Sequence, residues 1–392
     1  MEFQPKGQQK GFVSKKLVVR AAVPAFVAVA SIGSAFIYPE IVSASVPSLA
    51  PMSAQKLIAM AMHPTKPIFL GTVTETGNLG IPSTLVDSIP SSPNPLIGLA
   101  TQALTGTSSY SFWRTTNGQF RIAIPSPKGE TDFFVGGGVA WSWNSTDNSA
   151  TKYLVKLPAH GSTKTSNVRA QVKTPLTPSE VSSKFLSHLP SGSTVSVITS
   201  QYVAGIPAYT LVINANNSSS LLKSVSIAID ATTGQTLGVS LNSTQSSSPA
   251  FSIDYQSLSY SMPSESTVTF VPPTGVAIKT VTKSLTMPSN TNSSTQSLKG
   301  SLTSEKSTLA TDFTTVGSGF SKVVIYTPHT LASSKMATGR YASMLKAAGT
   351  PVTTSFGSGT IVSTYMASVF IGNNGTMAVG AVPYSVLLAD LK

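Results

Sequence analysis

GETDFFVGGGVAWSWN, residues 129–144, reads as two strands meeting at Gly136-Gly137-Gly138. In its second half Val139, Trp141 and Trp143 fall on one face, with Ala140, Ser142 and Asn144 on the other. A period of two marks a half-buried antiparallel strand. The glycine run has a strand on each side and no helix after it. A hairpin therefore explains it better than a phosphate-binding loop.

The same alternation extends in both directions. Upstream, PIFLGTVTET leads to a Pro-rich excursion, IPSTLVDSIPSSPNPLIGLATQAL, whose last part has helical character. SSYSFWRTT and GQFRIAIPS follow, joined by the turn Thr116-Asn117-Gly118. Downstream come ATKYLVKLP, STVSVITSQYVAG, IPAYTLVIN, SVSIAID, TLGVSLNS, FSIDYQSLSYS and STVTFVPP, each read as a strand. Two helices interrupt the series. Ser53 caps AQKLIAMAM, and Pro64 ends it. Thr177-Pro178-Ser179-Glu180 is a capping box with proline at the first helical position, ahead of the apolar positions Val181, Phe185, Leu186 and Leu189. Ten or so antiparallel strands with two main helices predict an α+β fold. Its core is a curved antiparallel sheet, an unclosed β-barrel, with helices over the concave face.

Composition narrows the function. Charged residues are 10% of the 392, against about 25% in an ordinary soluble protein. Even at a net charge of +12 this is a poor nucleic-acid binder, because phosphate neutralisation needs clustered Lys and Arg. At 41% hydrophobic residues the chain buries a sizeable core, which excludes disorder throughout. With no cysteine, disulfide frameworks, thiol nucleophiles, Cys-ligated metals and a lipidated N-terminal cysteine are all excluded.

Residues 1–44 read as an export segment. Lys6, Lys10, Lys15, Lys16 and Arg20 precede an uncharged apolar stretch from Ala21 to Pro39, and Val42-Ser43-Ala44 offers small residues for cleavage after Ala44. The apolar stretch is near the lower limit of about 17–20 residues for a span, so an uncleaved anchor is the alternative. Either way the bulk of the chain lies outside the cytoplasm. Residues 45–275 form the first folded unit. Residues 276–315, rich in Ser, Thr and Asn, read as a linker. Residues 316–392 form a small α+β unit, with Asn374-Gly375 as a type I′ hairpin turn and Pro383 opening a final helix. Lys322, Lys335, Arg340 and Lys346 make this unit basic. A solvated face and an approach to an anionic membrane both fit that charge.

The order of SAQKLIAMAM, GTVTETGNLGIPS, GETDFFVGGGVAWSWNSTDNSATKYL, the TPSEV helix, VAGIPAYTLVI, SIAIDATTGQTLGVSL and TVTFVPPTGVAI resembles the LolA-like superfamily of exported lipoprotein carriers and RseB-type sensors. It does so in its actinobacterial form and over about residues 53–279. The resemblance implies an unclosed β-barrel with a helical lid, and an apolar cavity that receives acyl chains of lipids or lipoproteins. It also implies an arginine on an early strand that holds the lid by hydrogen bonds, for which Arg114 and Arg121 are the candidates. The extra basic C-terminal unit departs from a single-domain carrier.

On this reading Tyr110, Phe112, Phe120, Ile122, Phe133, Val135, Trp141, Trp143, Tyr209 and Leu211 are the cavity candidates. The residue types serve equally well to fill a core beneath the helices. No catalytic grouping is present. His63, His160, His188 and His329 are scattered, and no zinc motif or nucleophile elbow occurs. Glu130 and Asp132 share one face of a strand about 7 Å apart. A solvated face or an ion pair with Lys128 or Arg121 accounts for them better than acid–base chemistry does. The expectation is a non-enzymatic, cofactor-free and metal-free extracytoplasmic binder of acyl chains. The alternative is a regulatory module that binds a membrane or envelope protein. A fusion of residues 1–50 to a reporter active only outside the cytoplasm should give signal, and a silent reporter would contradict export.

Overall fold

Alternating apolar residues and well-placed turns assemble into one twelve-stranded sheet. The computed structural model describes residues 47–87, 95–156, 175–190, 193–284, 313–328 and 340–391. The export segment expected at 1–44 and most of the expected linker lie outside the described residues. The strands are β1 (Leu70–Gly77), β2 (Thr107–Arg114), β3 (Phe120–Ser126), β4 (Gly129–Gly136), β5 (Val139–Asn144) and β6 (Ser149–Lys156). They continue with β7 (Thr194–Val203), β8 (Ile206–Asn214), β9 (Leu222–Asp230), β10 (Thr236–Ser243), β11 (Pro249–Ser259) and β12 (Ala277–Ser284). The spatial order is β12-β6-β5-β4-β3-β2-β1-β11-β10-β9-β8-β7, so the sheet has two free edges and is an open barrel. Every pairing is antiparallel except that of β12, which runs parallel to β6.

One face of this sheet is covered by helices. Helix α1 (Ala54–Met62) starts at Ser53, whose hydroxyl accepts from the Lys56 amide at 3.3 Å. After α2 (Ser83–Asp87) and α3 (Pro95–Thr105) comes α4 (Pro178–Leu186), which opens with the reciprocal Thr177/Glu180 box. Such a cap contributes about 1 kcal/mol and fixes where the helix begins. Leu57 and Ala61 of α1 and Val181 and Leu186 of α4 pack with Val73, Ile227, Ile229, Val239 and Ile253 in one core. That is the inner face. Among the described residues no helix is long and apolar enough to cross a membrane.

Two local expectations change. The stretch STVTFVPP is not a strand: α5 (Glu265–Val268) forms there, and an irregular segment follows to Gly275. Pro272 and Pro273 lack the amide hydrogens that a ladder requires. Instead, the pairing resumes in AIKTVTKS, within the stretch read as linker, as strand β12. The second change concerns Asn374-Gly375. Only Gly375 has positive φ (92°), whereas a type I′ turn needs both residues there. The Gly372 amide bonds to Thr376 O at 2.7 Å across a three-residue loop, with Gly375 in the left-handed position.

The C-terminal residues build a second antiparallel sheet. It comprises β13 (Phe313–Val316), β14 (Val323–Tyr326), β15 (Thr350–Thr354), β16 (Gly357–Ser363), β17 (Ser368–Gly372) and β18 (Met377–Gly380), in the order β13-β14-β18-β17-β16-β15. Helices α6 (Arg340–Ala348) and α7 (Tyr384–Ala389) accompany it. Val323, Phe370, Val382 and Leu387 are fully buried at its centre. This sheet touches the first directly. The Leu221 amide donates to Ala381 O and the Tyr365 amide to Leu79 O, both at 2.7 Å, while Phe320 and Met366 pack against the first core.

The β9–β10 turn shows how closely α1 lies on the sheet. Gly234 has φ of 76°, and a Cβ there would sit 2.4 Å from Met60 O. Gly205 has nearly the same φ, 75°, with open space around it. Gly205→Ala should therefore cost only the left-handed backbone term of about 1 kcal/mol, whereas Gly234→Ala should cost clearly more because α1 must shift. Urea denaturation of both variants measures the difference, and equal losses would contradict this contact.

Candidate functional site

A cavity of about 280 Å³ lies between the inner face of the sheet and the segments that cover it. Its floor is the β2–β3 hairpin and β11: Tyr110, Phe112, Arg114, Phe120, Ile122 and Tyr255 on the inner face, with Trp113 and Arg121, whose side chains belong to the other face, between them along the strands. Alternation explains the apolar floor. Tyr110, Phe112 and Arg114 share one face of β2, and Phe120 and Ile122 share the matching face of β3. The Phe112 and Tyr255 rings meet at 6.2 Å. Pro64 and Ile68, from the segment between α1 and β1, form one wall. Pro175, Thr177, Ser179 and Glu180, from the start of α4, form the other. Gln235 closes the cavity from the β9–β10 turn.

Sheet side chains hold the covering segments down. The Tyr110 hydroxyl donates to Leu176 O, just before α4. Arg114 Nε donates to Ile68 O at 2.5 Å, after α1. Tyr209 OH donates to Ala50 O at 2.6 Å, ahead of α1. Burial, reinforced by the nearby Glu75 carboxylate, drives the Tyr110 hydroxyl far above its ordinary pKa, so it remains a donor. Burial also raises Tyr255, against the opposing pull of Arg114. Glu75 itself is buried on the inner face and is raised by that burial, which a 3.2 Å hydrogen bond from Ser108 opposes.

The candidate residues divide into three groups. Tyr110, Phe112, Phe120, Ile122 and Arg114 come together around the cavity. Phe133, Val135, Tyr209 and Leu211 lie on the same inner face but pack into the core away from this cavity. Trp141 and Trp143 point the other way. They pair across the ladder with Phe134 and Asp132, on the outer face, where Phe270 lies 5.1 Å from Trp141 and 6.2 Å from Trp143. Both faces of this hairpin are apolar, so alternation alone does not tell inside from outside.

The two arginines part in the same way. Arg114 is on the cavity side. The Arg121 guanidinium is on the outer face, between the Trp113 ring at 4.8 Å and the Phe134 ring at 5.2 Å. Its Nε meets Asp132 Oδ1 at 2.6 Å, and its Nη2 meets Glu130 Oε1 at 3.1 Å. The Glu130/Asp132 pair is thus an ion-pair site. Asp132 is fully buried, and burial pushes its carboxyl up to about 7, with Arg121 opposing and Glu130 adding to the rise. Lys152 sits 5.3 Å over Trp141, extending the same outer stack.

Several site residues carry no separate signal in the sequence. Tyr255 shares the alternating face of Ile253 in FSIDYQSLSYS, and that pattern could have placed it. Thr177 and Glu180 are legible as a cap, not as a cavity wall. Gln235, in the polar turn TTGQT, is indistinguishable from any solvated turn residue. Among the described residues, no group of three or more His, Asp or Glu side chains is placed to hold a metal ion.

No family profile matches the chain, and no curated protein matches it in sequence. In structure it is similar to the MucA/MucB complex of Pseudomonas aeruginosa, at 13% identity and a TM-score of 0.37, over 86% of this chain and 96% of that one. A structure of MucB in complex with MucA(peri) matches at 13% identity and 0.36, over 85% of this chain and 94% of that one. A LolA superfamily protein from Nitrosomonas europaea matches at 9% identity and 0.20, over 56% of this chain and 99% of that one. Scores this low leave strand order and register as the ground for the fold. The open curved sheet with helices on its inner face is the architecture that the sequence resemblance implies.

Proposed function

We propose that this protein is a non-enzymatic binding module that takes one acyl chain of a lipid or lipoprotein into the cavity beneath α1 and α4, outside the cytoplasmic membrane. The observation that carries this reading is the composition of the cavity. Aromatic and aliphatic side chains from β2, β3 and β11 make its floor, while Arg114, Thr177, Ser179, Glu180 and Gln235 supply polar groups around it. Such a division suits a molecule with an apolar tail and a polar end. At about 280 Å³ the space is at the lower edge of ordinary ligand pockets, which favours a single chain over a bundle. Burying a methylene contributes about 0.8 kcal/mol, so about ten of them supply roughly 8 kcal/mol before the cost of association.

Titration with a fluorescent fatty acid tests the assignment through two aromatic residues on opposite faces. Phe112→Ala should weaken the probe at least about tenfold, because the ring is part of the floor. Trp141→Ala should leave probe affinity within about twofold and lower the melting temperature, because that ring packs outside against Phe270. Absence of saturable binding, or equal loss of binding in both variants, would overturn the reading.

A further inference from the structure

The two covering segments meet at one side chain. Gln235 is 6% exposed and sits where the β9–β10 turn reaches the cavity. Its Nε2 donates to Lys66 O at 2.5 Å, in the segment that follows α1. Its Oε1 accepts from Ser179 Oγ at 3.2 Å, in the first turn of α4. We infer that Gln235 is the positioning residue that latches both covers over the cavity, so that ligand uptake requires its two hydrogen bonds to break together. The inference rests on the reading of this cavity as the ligand site.

The turn that presents Gln235 is built to be rigid. Asp230 accepts from the Thr232 and Thr233 amides at 2.7 and 3.2 Å, from the Thr233 hydroxyl at 2.6 Å and from Tyr260 OH at 2.5 Å. Burial works to raise its carboxyl, and these hydrogen bonds outweigh that and hold it below its ordinary value. The Asp230 amide in turn donates to Gln235 O at 2.8 Å. Flanking contacts follow the same division. The Thr65 amide bonds to Thr233 O at 2.9 Å on the α1 side, and the Ser182 and Thr236 hydroxyls meet at 2.8 Å on the α4 side. The bridge itself demands a side chain that both donates and accepts. A donor is needed for the Lys66 carbonyl and an acceptor for the Ser179 hydroxyl, and glutamine provides both at any pH, where a glutamic acid would do so only when protonated.

The test is hydrogen–deuterium exchange on the full chain, comparing residues 47–69 and 175–190 with the second-sheet stretch 357–372 as an internal reference. Gln235→Leu, similar in size and unable to bond, should speed exchange in both covering segments about tenfold while the reference stays unchanged. Gln235→Glu at pH 7.5 should do the same, because a carboxylate keeps Ser179 but cannot donate to Lys66 O. Near pH 5 a buried, protonated glutamic acid regains the donor, so the variant should return toward the unmodified rate. Arg114 and Glu180 on the cavity, Asp230 on the turn, and the Tyr110, Tyr255 and Tyr260 hydroxyls are common to all forms. The comparison with unmodified protein at each pH cancels them. Acceleration of only one segment, or no pH dependence in Gln235→Glu, would overturn the latch. Failure of the fatty-acid probe to bind unmodified protein would overturn the ligand reading and leave the exchange result intact.

Discussion

A sheet of twelve strands at about 4.8 Å spacing is roughly 53 Å across before it curves. The helices that pack on its inner face are short: α1 and α4 have nine residues each, about 13 Å, and α3, whose Leu99 joins the same core, has eleven, about 16 Å. Apolar alternation makes the whole inner face seek cover, and three short helices do not supply all of it. Over β7–β11 the sheet curls onto them, and Ile227, Ile229, Val239 and Ile253 are fully buried. Over β2 and β3 the cover is incomplete, and the cavity is what remains. The mismatch between a wide apolar face and small covering elements is the constraint from which the site follows.

The cover over this gap is held by hydrogen bonds in addition to the packing of Leu57, Ala61, Val181 and Leu186. Tyr110, Arg114, Tyr209 and Gln235 each reach from the sheet to a backbone carbonyl in a covering segment. Hydrogen bonds of this kind contribute about 1 kcal/mol each and exchange readily for water when broken. The outer face is built differently. There Arg121 stacks between Trp113 and Phe134, salt-bridged to Asp132 and Glu130, and Phe270 closes over the tryptophans. That side is fixed.

Most of the fold was legible because strands and caps have local signatures. The alternation of Gly129–Asn144, the Thr177/Glu180 box and the Ser53 cap all sit where residue type requires. The handedness of a face was not legible. Trp141 and Trp143 are larger than Ala140 and Ser142, yet they face outward, because Phe270, more than a hundred residues later, covers them. Strand β12 was hidden by its lack of aromatic residues, and it is defined by β6 alongside it. Around the cavity, Tyr110, Phe112, Phe120, Ile122 and Arg114 were readable as one face of two neighbouring strands. Gln235 was not, since its role depends on Lys66 and Ser179, which approach it only in the folded chain.

Native mass spectrometry of the full chain, purified without detergent from the organism that makes it, addresses the central claim most directly. The account predicts one bound molecule per chain that carries an acyl group and is released on denaturation. A bare chain that also takes up no added acyl lipid would contradict it.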